Sequence, residues 1–105
     1  MTLAEALQGM IASFNPAKAK GVSAVVQLNA TGEGGGVYHI NVADNKCELV
    51  EGAAASPTVT IDVAAQDWID ITAGKLDPTR AFMTGKLRIK GDLGLMMRFQ
   101  NMFAR

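Results

Sequence analysis

GKLDPTRAFMTGKLRIKGDLGLMMRFQNMF, Gly74 to Phe103, holds in thirty residues a short helix, a strand and a last helix. Two GKL tripeptides, starting at Gly74 and Gly85, bracket a short segment in which Asp77-Pro78 supplies a helix cap and a first-turn proline ahead of Ala81, Phe82 and Met83. Lys86 to Lys90 then alternates, with Leu87 and Ile89 inward and Lys86, Arg88 and Lys90 outward, which is the period of a strand showing three cations on one face. After Gly91, Asp92 caps a last helix. On that helix Leu93, Leu95, Met96, Met97, Phe99, Met102 and Phe103 spread over an arc of about 220°, whereas a helix lying on one sheet needs an apolar stripe of only a little over about 100°. The surplus calls for a second apolar partner: another helix, another subunit, a membrane surface or a bound apolar ligand.

Outward from this stretch the periods are equally plain. Thr2 to Glu5, T-L-A-E, is a capping box, and Leu3, Leu7, Met10, Ile11 and Phe14 follow on one helical stripe. Asn15-Pro16 stops this helix or caps a short second turn. From Val22 to Leu28 the period becomes two. GEGGG, Gly32 to Gly36, leads into Val37 to Val42, and Ala43-Asp44-Asn45-Lys46 turns into Cys47 to Val50, so a three-strand meander is predicted. Thr58 to Val63 alternates as a fourth strand, and Ala65 to Ala73 reads as a short helix closed by Gly74. The fold class expected is α+β: a five-stranded sheet, built as a meander, a crossover to strand four, a helix and strand five, covered by helices.

A chain of 105 residues fits one domain, residues 1–105. No window approaches the roughly 18 apolar residues of a membrane span, and the N-terminus lacks the pattern of a secretory signal, so a cytoplasmic location is expected. The net charge of zero hides an asymmetry: three basic and eight acidic residues precede Lys75, while seven basic and two acidic residues follow from it onward. Such a basic section suits nucleic acid, an anionic membrane or a phosphorylated ligand. Nucleic acid is disfavoured, because no aromatic platform lies among the cations.

Chemistry-bearing motifs are few. GEGGG opens no helix and lacks a GK[ST], so it is a hairpin connection and not a phosphate loop. A lone Cys47 and a lone His39 make no disulfide and no metal cluster, so no metal and no cofactor are expected. His39 has no nucleophile placed near it by sequence. Asp62, Asp67, Asp70 and Asp77 each have a simpler use on a strand face, a helix face or a cap, and no catalytic residue is assigned.

Gly74 to Phe103 resembles the sterol carrier protein type 2 lipid-binding domain family, whose pattern is GKLxP, an aromatic, a second GKL with an alternating strand, then G-D/N-x-G-L and an amphipathic helix. The N-terminal helix, the meander with its glycine-rich loop and the strand-helix unit through Trp68 fall in the family's order. The resemblance implies a hydrophobic tunnel between sheet and helices and non-enzymatic binding of fatty acids, fatty acyl-CoA, phospholipid or sterol. It implies a tunnel wall of Phe82, Met83, Leu95, Met96, Phe99, Met102 and Phe103, with Trp68 and Ile71, and a ligand-facing Gln100. Lys86, Arg88 and Lys90 would meet an anionic headgroup or membrane surface.

Family members of peroxisomal type end in an S-K-L-like tripeptide, where this sequence reads Phe103-Ala104-Arg105. The expected protein is thus a lipid-binding module in the cytoplasm, a monomer or weak dimer, that exchanges ligand at membranes. Two readings of other classes stand beside it: a small isomerase-like enzyme using a buried carboxylate, and an interaction module whose last helix is buried by a partner.

Overall fold

All but one of the helical segments begin where a short polar side chain satisfies free backbone amides. In the computed structural model, which describes residues 2–103, α1 (Leu3–Ala12) opens with a reciprocal capping box: Glu5 N–H donates to Thr2 Oγ1 at 3.1 Å and Thr2 N–H donates to Glu5 Oε1 at 2.9 Å. The Ala104-Arg105 end, on which the comparison with an S-K-L tripeptide turns, lies outside the described residues. Asn15 caps a short 3-10 turn, Pro16–Ala19, by accepting from Ala17 N–H at 3.0 Å. Asp77 and Asp92 cap α3 (Pro78–Met83) and α4 (Leu93–Asn101) in the same way, accepting from Thr79 and Leu95. The helix that precedes α3, α2 (Ala65–Thr72), has no side-chain cap and runs straight on from a strand.

Five strands, β1 (Ala24–Thr31), β2 (Gly36–Ala43), β3 (Lys46–Glu51), β4 (Val59–Ala64) and β5 (Leu87–Gly91), form one mixed sheet in the order β3-β2-β1-β4-β5. The meander β1-β2-β3 is antiparallel, β4 joins β1 in parallel, and β5 closes the other edge antiparallel to β4. The turn between β2 and β3 places Asp44 and Asn45 at φ 53° and 60°, a left-handed pair that these two residue types tolerate best after glycine. In the β1–β2 loop a Cβ on Gly35 would run into the carbonyl oxygen of Ala30, which is why that turn must be glycine. Strand β1 begins two residues later than the alternation suggested: Val22 is buried, but its N–H donates to Ala19 O in the preceding turn.

Parallel pairing obliges the chain to cross from β3 to β4, and it does so over the solvent side of the sheet. Ala54 N–H donates to Gln27 Oε1 at 2.9 Å, and His39 Nδ1 lies 2.8 Å from Gly52 O. Because a carbonyl only accepts, that contact requires the proton on Nδ1. Gln27 and His39 are register partners on β1 and β2, so the sequence's one histidine fastens the crossover. The same face carries a polar ladder in which Gln27 Nε2 donates to Asn29 Oδ1 and Asn29 Nδ2 to Asp62 Oδ1, both at 2.9 Å.

The opposite face is the core. Val26, Leu28, Ile40, Val42, Val59, Ile61 and Val63 pack in one cluster with Leu3 and Leu7 of α1, Trp68 of α2 and Met96, Phe99 and Met102 of α4. Each such aliphatic side chain contributes about 1.5–3 kcal/mol by leaving water. Among the described residues no polar or charged residue is buried. Helices and crossover therefore take opposite faces, and any apolar ligand space lies on the helix side.

Candidate functional site

The helices leave a gap over the β5 edge of the sheet. Ala6, Gly9 and the C-cap Ser13 recur on one face of α1 at i, i+3 and i+7, and their small side chains leave the space beside that face unfilled. The result is a cleft of about 580 Å³ whose lining draws on α1, α2, the α2–α3 connection, β5 and α4. That volume lies within the usual range for small-molecule sites. Its floor consists of the buried side chains of Ala6, Trp68, Leu87, Met96 and Phe99. Its rim consists of the exposed Gly9, Ser13, Gly74, Asp77 and Gln100.

The enclosed tunnel expected from the resemblance is here a cleft open along that rim. Small residues on one side and the short α2–α3 connection on the other span the opening without roofing it.

Of the side chains expected on the wall, Trp68, Ile71, Met96, Phe99, Gln100 and Phe103 do meet there. Met102 instead is wholly buried in the core, and Leu95 packs half-buried against it. Phe82 and Met83 lie outside the cleft, 46% and 79% exposed. The six-residue α3 anchors itself through the fully buried Ala81 and turns its other sides to solvent. Gly9, Ser13, Asp77 and Leu87 line the cleft without having been expected there, and the small-residue spacing along α1 is the sequence signal that could have found Gly9 and Ser13.

Polar groups on the wall are few and mostly committed. Ser13 Oγ donates to Met10 O and Thr72 Oγ1 to Ile69 O, both at 2.8 Å, so each hydroxyl offers the cleft lone pairs and no proton. Asp77 Oδ1 accepts from Thr79 N–H at 3.1 Å. Trp68 Nε1 is buried with no hydrogen-bond partner among the described residues, which costs about 1–3 kcal/mol. Of the carboxylates considered for an isomerase, Asp77 alone lines the cleft; Asp62 sits on the crossover face with Asn29 and Lys90. Among the described residues no group of three or more His, Cys, Asp or Glu is placed to hold a metal ion.

The three cations stand apart from the cleft. Leu87 presents its side chain to the floor, so Arg88 and Lys90 alternate with it: Arg88 lies opposite Asp62 in the β4–β5 register, and Lys90 Nζ is 3.8 Å from Asp62 Oδ2. Lys86 is exposed in the turn before β5. A headgroup held at the rim and the Arg88–Lys90 pair are on different sides of the sheet.

The sequence model of the SCP-2 sterol transfer family matches residues 4–104. Hydroxysteroid dehydrogenase-like protein 2 of Danio rerio is 35% identical over 95 residues, covering 87% of this chain but only 22% of that protein. The chain thus spans under a quarter of that curated relative's length. The solution structure of palmitated SCP2L2 from Aedes aegypti superposes with a TM-score of 0.80 at 25% identity, over 100% of this chain and 96% of that one. The sec-alkylsulfatase Pisa1 from Pseudomonas sp. holds the same fold in 15% of its length, matching 91% of this chain with a TM-score of 0.79 at 16% identity.

Proposed function

The chain belongs to the SCP-2 sterol transfer family, and from that premise we propose that it is a cytoplasmic, non-enzymatic module that seats the apolar part of one lipid in the cleft and passes it to membranes. The observation that carries this reading is the apolar floor that Trp68, Leu87, Met96 and Phe99 give to the open cleft of about 580 Å³. Each methylene buried there contributes about 0.8 kcal/mol, so affinity rises with chain length until the space is filled. Methionine suits such a wall, since its unbranched thioether adapts to ligands of different shape. Palmitate on the Aedes aegypti neighbour supports the choice of ligand class.

The dehydrogenase in the Danio rerio relative's name belongs to a protein of which this chain spans 22%, and the cleft offers burial in place of a reacting group. For transfer, the basic section from Lys75 onward supplies attraction to anionic lipid, with exposed Lys86 and Arg88 at the β5 edge as the contact. Native mass spectrometry after incubation with vesicles of mixed long-chain lipids tests the reading. One lipid per folded chain is expected, and a bare mass with every lipid offered would overturn it.

A further inference from the structure

We propose that Trp68 anchors the bound lipid: its indole N–H donates to an oxygen of the ligand, so that the oxygen-bearing part of the lipid sits on the floor of the cleft and not at the rim. The inference rests on the lipid-binding reading above and adds to it the residue that holds the ligand's polar atom and the way round that the ligand lies.

The polar side chains around the cleft differ in depth. Ser13, Asp77 and Gln100 are exposed at the rim, and Lys75, between the lining residues Gly74 and Leu76, is exposed beside them. Water solvates these four whatever the cleft holds. Thr72 is half-buried, and its hydroxyl has spent its proton on Ile69 O. Trp68 is 5% exposed, and of the polar side chains on the lining it alone belongs to the floor.

Among the described residues, Trp68 Nε1 is also the one buried side-chain nitrogen or oxygen without a hydrogen-bond partner. An indole nitrogen only donates, so what it lacks is a lone pair. No polar or charged residue is buried among the described residues, so the core has no oxygen-bearing side chain to supply one. A carbonyl, ester, hydroxyl or carboxyl oxygen of a lipid does supply it. Most hydrogen bonds made on binding replace a bond to water and gain little net; this donor holds no bond to give up, so the new one counts almost in full. The cleft along one side leaves the ring room to turn its N–H to a bound oxygen. A hydrocarbon of equal length fills the same space and leaves the donor orphaned.

Trp68 is the chain's one tryptophan, so a nitrogen-labelled chain gives a single indole N–H resonance. The test titrates that chain with methyl dodecanoate, whose carbonyl accepts, and with tetradecane, equal in chain length and without a lone pair, native mass spectrometry confirming one bound molecule. The ester is expected to move the indole proton downfield and to slow its exchange with solvent relative to the tetradecane complex. Trp68→Phe keeps an aromatic ring on the floor and removes the donor. It is expected to weaken ester binding about tenfold, the effect of one hydrogen bond to an otherwise orphaned donor, and to change tetradecane binding far less. Both affinities are read by displacement of a fluorescent fatty acid from a variant that thermal melting shows to be folded; should it not fold, the resonance of the unaltered chain decides alone. An indole signal that is the same in both complexes, or a Trp68→Phe loss equal for the two ligands, would overturn the proposal and return the ligand's oxygen to the rim. Binding of neither ligand would sink the lipid-binding reading itself, a separate result.

Discussion

The main-chain N–H of Asn15 donates to the carbonyl of Met102 across 2.6 Å, joining the exit of α1 to the exit of α4. Beside this bond Phe14 and Phe103 form an isolated antiparallel bridge with ring centroids 5.6 Å apart, and Phe99 stands edge-on to Phe103 at 4.8 Å. Since Phe99 and Phe103 also line the cleft, this aromatic clasp fixes one end of the wall. Phe14→Ala is expected to cost about 2 kcal/mol, from a lost ring pair and lost apolar burial. A lower urea midpoint and faster lipid dissociation should appear together; no change in either would show that the clasp is idle.

Gly9 sits inside α1 with an ordinary helical backbone and nothing within 4 Å of where a Cβ would be, because the cleft lies there. Gly9→Ala should raise stability by about 0.5–1 kcal/mol through helix propensity alone. Gly9→Phe should instead fill the cleft and abolish lipid uptake while circular dichroism and thermal melting stay those of a folded chain. Full lipid binding by folded Gly9→Phe would place the ligand elsewhere.

The methionines of α4 separate by face. Met102 is 0% exposed and Met97 is 69% exposed. Met102→Ala should cost about 2–5 kcal/mol by opening a core cavity, and Met97→Ala should stay within about 0.5 kcal/mol of the parent. Chemical denaturation of the two variants decides the point. Comparable losses would mean that Met97 is covered in solution, as the interaction-module reading requires.

That contrast marks where the sequence stops being legible. The caps at Thr2, Asn15, Asp77 and Asp92 were all readable, since each is a bond between a side chain and a backbone amide two or three residues away. Strand faces were readable too, because alternation survives any choice of partner. The parallel join of β4 to β1 is a pairing across the sheet, fixed in part by His39 and Gln27 holding the crossover, and no local pattern encodes it. For the same reason the apolar arc of α4 foretold a surplus without dividing it. Met96 and Phe99 took the cleft, Met102 took the core, and Leu93 and Met97 were left to solvent. The family resemblance implied Phe82 and Met83 as wall, yet one buried alanine suffices to seat α3. Gly9 and Asp77 contribute to the cleft by smallness and by charge, which a search for apolar residues passes over.

Hydrogen bonds from Thr2, backbone first and then hydroxyl, hold the Glu5 carboxyl below its ordinary value of 4.5. A depressed folded-state value means that the capping box contributes stability above the unfolded value, and that this contribution is lost as pH falls from there through the folded one. Thermal melts of the parent and of Glu5→Gln should therefore differ most at neutral pH and converge on acidification. A difference that does not shrink with acid would show that the carboxylate's charge is not what the box uses.

Transfer should depend on cations that the cleft does not use. Lys86 and Arg88 are exposed and are not among the lining residues, so Lys86→Ala with Arg88→Ala leaves the wall intact. Lys90 is retained in this variant so that Asp62 keeps its partner. Each basic residue near an anionic bilayer is worth about 1 kcal/mol before screening, so the double variant should transfer lipid to phosphatidylserine vesicles about tenfold more slowly at low ionic strength. Added salt should erase the difference, and zwitterionic vesicles should never show it. Equilibrium affinity should remain that of the parent, because the apolar wall determines it. If affinity and transfer fell together, the cations would belong to the ligand site and the two faces of the sheet would not be functionally separate. If neither changed, the exposed Phe82 and Met83 of α3 would be the next surface to alter.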